Sequence, residues 1–358
     1  MTNIDLEKSY SRAKEFCHLF TNSQSRVRLV LGTNEYARSI ANAIDIDGFI
    51  NDHSNDQAYL GKPIYKTENI PADALVVSSA VRIRPLSASK KLDELGIENL
   101  DYFLFRKFSG LEIIPVMMWD EFNYSYVENE EKFNWVRTIL ADNVSKIIYD
   151  RLINFRRTGC LEYMKQFTDC QQRQYFEKFF RLPDKDQTFI DAGGYDGYTS
   201  SEFIRWCPNY KSVHMFEPEK GNFKKARDNL KHFDNVYFHQ LGLSNRTETL
   251  RFSACGPASS ITESGECLIN VDRLDNIVSE PVHFIKMDIE GAESSALEGS
   301  INTIINNHPV LAICVYHRGD DFWSIPEQLL SYRGDYSVFI RHYTEGVTET
   351  VMFFVPNH

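Results

Sequence analysis

The sequence lacks several features that mark common classes of protein. It has no excess of positive charge, because 39 Lys and Arg stand against 50 Asp and Glu, a formal net charge of −11. Proteins that bind nucleic acid neutralise phosphates with basic side chains, so the excess of acidic residues argues against a nucleic-acid partner. Its apolar runs are far shorter than the roughly 20 residues that a membrane helix needs, so we expect no membrane span.

Cysteines are few and follow no pattern. They form no C-x-x-C motif, and an odd, scattered set is typical of reduced thiols, not of a disulfide or zinc framework. The seven are Cys17, Cys160, Cys170, Cys207, Cys255, Cys267 and Cys314. The first residues also carry no apolar segment of a signal peptide. We therefore expect a soluble protein of the cytoplasm, whereas its oligomeric state is unreadable.

Two nucleotide-binding fingerprints are missing as well. There is no G-x-G-x-x-G loop of a dinucleotide-binding protein and no G-x-x-x-x-G-K-[ST] loop of a nucleotide triphosphatase. Both a nicotinamide-dependent oxidoreductase and a P-loop enzyme are therefore disfavoured.

What is present is a chain of 358 residues, long enough for two domains. Strands alternate with helices in residues 26 to about 110, which predicts a small Rossmann-like α/β domain over 1–119. Residues 120–182 are helical and rich in aromatics, with apolar side chains three and four apart from Phe133 to Phe155, which predicts a helical connector. A second α/β series fills 183–358.

The second series predicts a mostly parallel, doubly wound sheet. No helix separates the last two strands, YSVFIRH and ETVMFFVP, so we expect an antiparallel hairpin at one edge of the sheet. In such open sheets ligands bind beyond the carboxyl ends of the strands. Polar side chains at the strand ends are therefore the candidates for the site.

A glycine-rich turn follows the first strand of this series. Asp191 ends the strand TFID, and Gly193 and Gly197 flank a loop that leads into a helix. Glycines allow a tight turn, and a helix N-terminus offers unpaired N–H groups to a ligand. The next strand ends at Glu217, about 20 residues beyond the loop, where a carboxylate can accept hydrogen bonds from both hydroxyls of a ribose. The pair predicts a nucleoside site, and the loop suits S-adenosylmethionine better than a pyrophosphate.

Acids and histidines follow the later strands. Asp288, Glu290 and Glu293 lie within six residues after the strand HFIKM, and such a concentration of carboxylates needs partners, water or a function. A helix N-terminus alone explains Glu293 better than Asp288. His317 and His342 end the next two strands, which favours a functional over a structural role.

Together, FIDAGGYDGYTSSEF, HMFEPEKGNFKKARDNL, FIKMDIEGAESSALEGS, VYHRGDDFWSIP and the FIRHY…ETV ending resemble the FkbM family of S-adenosylmethionine-dependent methyltransferases. The resemblance covers about residues 133 to 355, and FIKMDIEGAE is its most specific element. It implies a class I methyltransferase fold with a Rossmann-like sheet and an antiparallel edge hairpin, which transfers a methyl group to a hydroxyl of a sugar or secondary metabolite.

The resemblance implies S-adenosylmethionine as the cofactor and assigns residues to it one by one. Gly194 stands where many members carry alanine or asparagine, a departure that should tolerate the cofactor. The cofactor residues so expected are Asp191, Gly193, Gly194, Tyr195, Gly197, Thr199, Glu217, Pro218, Leu241, Gly242 and Asp288.

Methyl transfer to an alcohol also needs a group that accepts the hydroxyl proton. His317 is the first candidate for this base, Glu290 and His342 are the alternatives, and Asp320 or Asp321 could orient His317. Asp288, Glu290 and Asp320 could offer oxygen ligands to a metal, but nothing in the spacing of these acids demands one, so none is expected.

The acceptor and the role of the first domain stay open. We expect the methyl acceptor to be a hydroxyl group of a sugar or small molecule, either free or nucleotide-linked. A bacterial surface-glycan precursor is preferred, and a secondary metabolite is the alternative. The first domain carries either a nucleotide-sugar or partner site near Gly32, Thr33, Asn34 and Asp52, or only packs. A scaffold without turnover is the rival from another class, but the intact glycine loop, Glu217 and FIKMDIEGAE argue against it.

Overall fold

The computed structural model describes residues 4–23, 25–253, 260–261 and 267–357, and it divides into two compact units. The first unit comprises Met1–Tyr124, Ile148–Gln171 and His342–Glu349. The second comprises Ser125–Ile147, Gln172–Arg341 and Thr350–His358. Residues 120–182, predicted as a connector, are thus shared between the units, and the domain boundaries given above stay a prediction.

The first unit is built on a mainly parallel sheet. Its elements are α1 (Leu6–Asn22), β1 (Arg28–Leu31), α2 (Glu35–Ala43), β2 (Gly48–Ile50), β3 (Ala58–Tyr59), β4 (Lys62–Tyr65), β5 (Leu75–Ser78), α3 (Pro85–Glu94), β6 (Glu98–Asp101) and α4 (Tyr102–Phe108). The sheet order is β3-β4-β2-β1-β5-β6, and the β3–β4 pair is antiparallel whereas the others are parallel. The Rossmann-like alternation predicted from residues 26–110 is therefore present.

Continuous apolar runs place the central strands of this sheet. Leu29 and Val30 of β1 and every residue of β5 are buried, as expected for parallel strands covered on both faces. Helix α2 begins after Asn34, whose side chain accepts a hydrogen bond from the N–H of Ala37 at 2.9 Å.

Two helices, α5 (Trp119–Glu128) and α7 (Asn143–Thr158), run from one unit into the other, and α6 (Glu130–Ile139) lies in the second unit. The apolar repeat from Phe133 to Phe155 predicted one helical face, but the structure interrupts it at Leu140, which forms a β-bridge with Val338. Asp142 then caps the start of α7, because its carboxylate accepts a hydrogen bond from the N–H of Ser145 at 2.6 Å.

The second unit contains a larger sheet and a smaller one. Its remaining helices are α8 (Tyr198–Trp206), α9 (Lys220–Leu230), α10 (Leu274–Ile277), α11 (Glu293–Glu298), α12 (Ile301–Asn307) and α13 (Asp321–Tyr332). Its strands are β7 (Thr188–Ala192), β8 (Ser212–Phe216), β9 (Val236–His239), β10 (Gly242–Leu243), β11 (Glu248–Ser253), β12 (Ser260–Ile261), β13 (Cys267–Asp272), β14 (Phe284–Met287), β15 (Val310–Cys314), β16 (Tyr336–His342) and β17 (Thr350–Pro356).

In the larger sheet the order in which the chain adds strands reverses in the middle, and the strand direction reverses at one edge. Its order is β16-β17-β15-β14-β7-β8-β9, so the chain starts at β7, proceeds to one side and returns to β14 on the other. Strands β9, β8, β7, β14 and β15 are parallel, and β17 is antiparallel to β15. The α/β class, the parallel sheet and the reversed edge were all predicted, and they are confirmed.

The smaller sheet, β10-β13-β11-β12, is a difference from the sequence prediction. The alternation in VYFHQLGLS predicts one strand, but β9 ends at His239, and Gly242 and Leu243 pair with Val271 and Asp272 of β13 instead. His239, Gln240 and Gly242 interrupt the run, but residue types alone do not indicate which strand each part pairs with.

Two further expectations concern cysteines and membranes. Cys17, Cys160, Cys170, Cys207 and Cys314 are free thiols, whereas Cys255 and the side chain of Cys267 lie outside the described residues. Within the described ranges, none of the helices combines the length and the apolar character that a bilayer crossing requires.

Stacked aromatic rings form the core beside β7. Phe189 of β7 and Phe203 of α8 are fully buried with their ring centroids 4.4 Å apart, and Phe284 of β14 lies 5.1 Å from Phe189. Such contacts contribute packing energy beyond the burial of apolar area. They fix α8, and with it the loop that precedes α8, against the sheet.

We expect Phe203→Ala to destabilise the second unit by about 3–5 kcal/mol, because it opens a cavity among these rings. Urea unfolding, monitored by tryptophan fluorescence, measures the change in the free energy of unfolding. Leu268→Ala is the matched control, since Leu268 is 69% exposed and a surface substitution costs about 0.5 kcal/mol or less. Equal midpoint shifts in the two variants would contradict the assigned packing.

Candidate functional site

The site lies at the carboxyl ends of β7 and β14, where the order of strands along the chain reverses. Strands β7 and β14 are parallel neighbours at this point, and the chain leaves them on opposite sides. A crevice forms beyond the carboxyl ends of strands at such a switch point. The loops after β7, β8, β14 and β15 carry the residues singled out from the sequence.

Glycines set the path of the loop after β7. Gly193 has a φ of +76° and Gly197 a φ of +85°, a region that residues with a side chain rarely adopt. A Cβ on Gly193 would lie 1.8 Å from the carbonyl oxygen of Asp288, so the loop packs directly on the end of β14. A Cβ on Gly194 would instead meet the flexible side chain of Met215 at 2.4 Å.

A buried lysine in the neighbouring strand β14 forms hydrogen bonds to the start of this loop. Lys286 of β14 lies 3.2 Å from a carboxylate oxygen of Asp191 and donates hydrogen bonds to the carbonyl oxygens of Ala192 and Gly193 at 3.1 and 2.6 Å. Burial opposes the charge of Lys286, but Asp191 and Asp288 raise its pKa. Sequence reasoning missed this residue, although a lysine inside the apolar run Phe284–Met287 is a signal that a buried partner exists.

Asp191 therefore has a different position from the one expected of a ligand-binding acid. Its side chain is fully buried, and its second oxygen accepts a hydrogen bond from the hydroxyl of Ser200 at 2.7 Å. Its contacts join β7, β14 and α8, which makes it a positioning residue for the glycine loop.

Glu217 lies beside the loop at the end of β8. One carboxylate oxygen accepts a hydrogen bond from the N–H of Tyr195 at 3.0 Å and the other from the N–H of Glu219 at 2.9 Å. Burial raises the pKa of Glu217 to about 7, against the lowering effect of these two N–H groups. Each oxygen keeps a further lone pair, so the carboxylate can accept one additional hydrogen bond on each side.

The other expected cofactor residues lie in the segments that follow β7, β8 and β9. Tyr195 is half exposed, and Thr199 lies in the first turn of α8. Pro218 and Gly242 are close to each other, because a Cβ on Gly242 would lie 3.8 Å from the ring of Pro218, and Leu241 precedes Gly242 in the chain. Their cofactor contacts stay a prediction.

A second group of residues, the acidic cluster, consists of Asp288, Glu290, Glu293 and His317. His317 follows β15, and its Nδ1 atom lies 2.8 Å from Glu293 Oε1. Its Nε2 atom lies 3.4 Å from Asp288 and 3.6 Å from Glu290. The structure therefore brings together His317 and all three acids found in FIKMDIEGAE.

The acids determine the charge of the histidine. Burial alone would lower the pKa of His317, but the charge of Glu293 and its hydrogen bond, together with the charges of Asp288 and Glu290, raise it to about 10. Without another cation the imidazole is protonated at neutral pH. It then stabilises negative charge and does not accept a proton, which differs from the base expected from the sequence.

Three neighbours hold the acidic cluster in place. Asp321 accepts hydrogen bonds from the N–H groups of His317 and Arg318 at 3.0 and 2.7 Å, so Asp321 orients the histidine loop. Asp320, the other candidate for this role, is 40% exposed and instead pairs with the side chain of Arg318 at 3.6 Å. The hydroxyl of Tyr175 donates to Asp288 at 2.9 Å and that of Tyr316 at 3.3 Å. Nothing in the sequence pointed to Tyr175, which lies more than a hundred residues away from Asp288.

His342, the other histidine candidate, lies in the first unit. It is buried there against the ring of Phe167, at a centroid distance of 4.8 Å, and its Nε2 atom is 3.5 Å from the hydroxyl of Thr344. Burial lowers the pKa of His342 to about 3, so the ring is neutral. Its contacts are those of a packed core histidine.

The candidates in the first unit are occupied by internal contacts. Asn34 caps α2 and donates to the carbonyl of Ser79, and Thr33 accepts a hydrogen bond from the side chain of Asn51. Asp52 pairs with Lys91 at 2.6 Å, and a Cβ on Gly32 would lie 2.3 Å from the hydroxyl of Ser79. These contacts favour the packing role considered above for this region.

Comparisons with known proteins agree with this geometry. Residues 191–343 match the methyltransferase FkbM domain. The match includes the glycine loop, Glu217 and the complete acidic cluster. The resemblance drawn from the sequence motifs is confirmed for this part of the chain. No curated protein has a significant sequence match to this chain.

One solved structure extends the likeness to nearly the whole chain. Methyltransferase FkbM from Methylobacillus flagellatus KT is 23% identical, with a TM-score of 0.75 over 98% of this chain and 99% of that one. An rRNA methylase from Streptococcus thermophilus is 14% identical, covering 56% of this chain and 95% of its own, with a TM-score of 0.33. The first of these confirms the class I methyltransferase fold, with its Rossmann-like sheet, for a chain that also includes the first unit.

We expect Gly193→Ala to destabilise the second unit by roughly 2 kcal/mol or more, because it combines a left-handed backbone with a clash against the main chain of β14. Gly194→Ala should cost clearly less, since only the side chain of Met215 has to move. Thermal unfolding of both variants tests the difference. Equal losses of stability would show that the loop does not pack as described.

Proposed function

We propose that this protein transfers a methyl group from S-adenosylmethionine to a hydroxyl group of an acceptor. The observation that carries the proposal is the position of Glu217 beside the glycine loop, at the switch point of a methyltransferase domain, with the acidic cluster at the adjoining strand ends. Glu217 beside the glycine loop suits a nucleoside, and the acidic cluster suits a hydroxyl group that reacts.

Several residues fit the cofactor. Glu217 has acceptor capacity left on both oxygens, as two ribose hydroxyls require. The loop from Gly193 to Gly197 leads into the N-terminus of α8, and Pro218 and Leu241 border the neighbouring surface. When bound, the cofactor supplies an electrophilic methyl group, and the residues of the chain have to position the acceptor and take its proton.

The acidic cluster can perform both tasks. Glu290 is the most exposed of its carboxylates, at 33%, and is our candidate for the proton acceptor. A cation beside it, His317 in its protonated form, stabilises the negative charge that develops on the acceptor oxygen. Positioning supplies roughly 7–11 kcal/mol of barrier lowering and a base roughly 10²–10⁴-fold in rate, so loss of the base should slow turnover without abolishing it.

We further propose that the acceptor is a sugar of a bacterial surface-glycan precursor, either free or linked to a nucleotide, and that the reaction takes place in the cytoplasm. A sugar presents the hydroxyl groups that carboxylates bind well. A small secondary metabolite with a free hydroxyl is the alternative with the same chemistry. A scaffold protein without turnover is less consistent with a glycine loop and an acidic cluster that are both intact.

The first test is calorimetric titration of the protein with S-adenosylmethionine and, separately, with NADH. We expect micromolar binding of S-adenosylmethionine only, followed by transfer of the labelled methyl group to members of a panel of nucleotide sugars and free sugars. Binding of neither compound would exclude the proposed enzyme. Binding without transfer to any hydroxyl compound would favour the scaffold.

The affinity for S-adenosylmethionine should depend on pH through Glu217. Its pKa of about 7 means that the carboxylate gains a proton below neutrality and loses acceptor capacity, so the affinity should fall by up to about tenfold per pH unit below 7. Titrations at pH 6, 7 and 8 measure the trend. Glu217→Gln is the control, in which binding should be weak and the contribution of Glu217 to the trend should vanish.

Turnover should depend on Glu290 more than binding does. We expect Glu290→Gln to lower kcat by about 10²–10⁴-fold and to leave the affinity for S-adenosylmethionine within threefold. The matched control is Asp320→Asn, which removes one charge from an exposed acid on the adjacent loop. A kcat near that of the unmodified protein in Glu290→Gln would place the proton acceptor elsewhere.

A further inference from the structure

We propose that the acidic cluster is a binding site for one divalent transition-metal ion, held by Asp288, Glu290 and His317 and oriented by Glu293. The sequence spacing predicted no metal, and the proposal comes from the folded geometry. Metal binding as such is independent of the proposed function, whereas a role for the ion in holding the acceptor hydroxyl rests on it.

The first observation is the separation of the candidate ligand atoms. His317 Nε2 lies 3.4 Å from Asp288 Oδ1 and 3.6 Å from Glu290 Oε2. These distances exceed those of charge-assisted hydrogen bonds, which are about 2.7–2.9 Å. Two ligands on one ion at bond lengths of about 2.1 Å and near-tetrahedral angles are about 3.4 Å apart. Each of the two acids is thus spaced from His317 Nε2 as two ligands of one ion are.

The second observation is a pair of buried polar atoms without hydrogen bonds. Within the described part of the chain, His317 Nε2 and Glu293 Oε2 have no hydrogen-bond partner. Their side chains are only 3% and 1% exposed. A buried polar atom in this state costs free energy unless a ligand satisfies it. Nε2 points to Asp288 and Glu290, into the proposed site.

The third observation is the arrangement behind these ligands. Metal-binding histidines usually donate their other ring N–H to a carboxylate, which fixes the ring and its tautomer. Glu293 Oε1 lies 2.8 Å from His317 Nδ1 and so occupies that position. The carboxylate of Asp288 is held in the same way by the hydroxyls of Tyr175 and Tyr316. Ligands and supporting groups are both in place.

The charge balance agrees with a divalent ion. Three carboxylates share a largely buried space in which His317 offers one positive charge and Lys286 a second that is already committed to Asp191. A divalent ion would displace the proton of Nε2, so that the imidazole becomes a neutral ligand and one proton is released. Imidazole combined with carboxylates suits ions such as Mn²⁺ and Zn²⁺.

The test is titration of the metal-free protein with Mn²⁺ alone. Binding is measured as the loss of the electron paramagnetic resonance signal of free Mn²⁺. We expect one tight site per chain. His317→Gln and Asp288→Asn should remove that site, and Glu293→Gln should weaken it by roughly 10–100-fold, because it loses only the orienting contact. Glu290→Gln, a change at a partly exposed side chain, gives a ligand variant with little risk of misfolding.

Asp320→Asn is the matched control, since it removes an equal charge from the neighbouring loop and should leave the affinity unchanged. Circular dichroism checks that every variant is folded. The proposal is overturned if the unmodified protein shows no stoichiometric site up to millimolar Mn²⁺, or if folded His317→Gln and Glu290→Gln variants bind as tightly as Asp320→Asn. Neither result depends on methyl transfer, so failure of the metal site and failure of the proposed function are distinguishable.

Discussion

The candidate site depends on one buried lysine. Lys286 lies in the strand next to β7, forms an ion pair with Asp191 and binds two carbonyl oxygens at the start of the glycine loop. A single side chain thus connects both strands of the switch point with the loop between them. Removal of one partner of such a pair leaves an uncompensated buried charge at a cost of roughly 3–5 kcal/mol. The loop consequently has one defined path.

The acidic cluster is placed by the same part of the sheet. Asp288 directly follows the strand that carries Lys286, and its backbone oxygen is the atom against which Gly193 packs. Carboxylates this close would repel one another in a buried space, so the cluster requires a cation. A protonated His317 supplies one positive charge and a divalent ion would supply two. Either cation keeps a positive centre at the edge of the crevice.

Much of the fold could be predicted because its signals are local. Apolar runs such as FIKM and VLAIC give the strands, and the glycine turn followed by Glu217 gives the first strand end and the second. The motif FIKMDIEGAE led to the family whose model matches residues 191–343. The apolar repeat around Leu140 and the run VYFHQLGLS were assigned incorrectly, because periodicity indicates which residues are buried but not which strand or helix they pack against.

The sequence by itself determined which chemical groups stand at each strand end. Only the tertiary structure decided what those groups do, because their pKa values and contacts depend on neighbours distant in the chain. Asp191 became a buried support, His317 a cation among three acids, and His342 a neutral core residue of the other unit. Tyr175 joined Asp288 across more than a hundred residues. Burial and the distances between charges exist only once the sheet has formed.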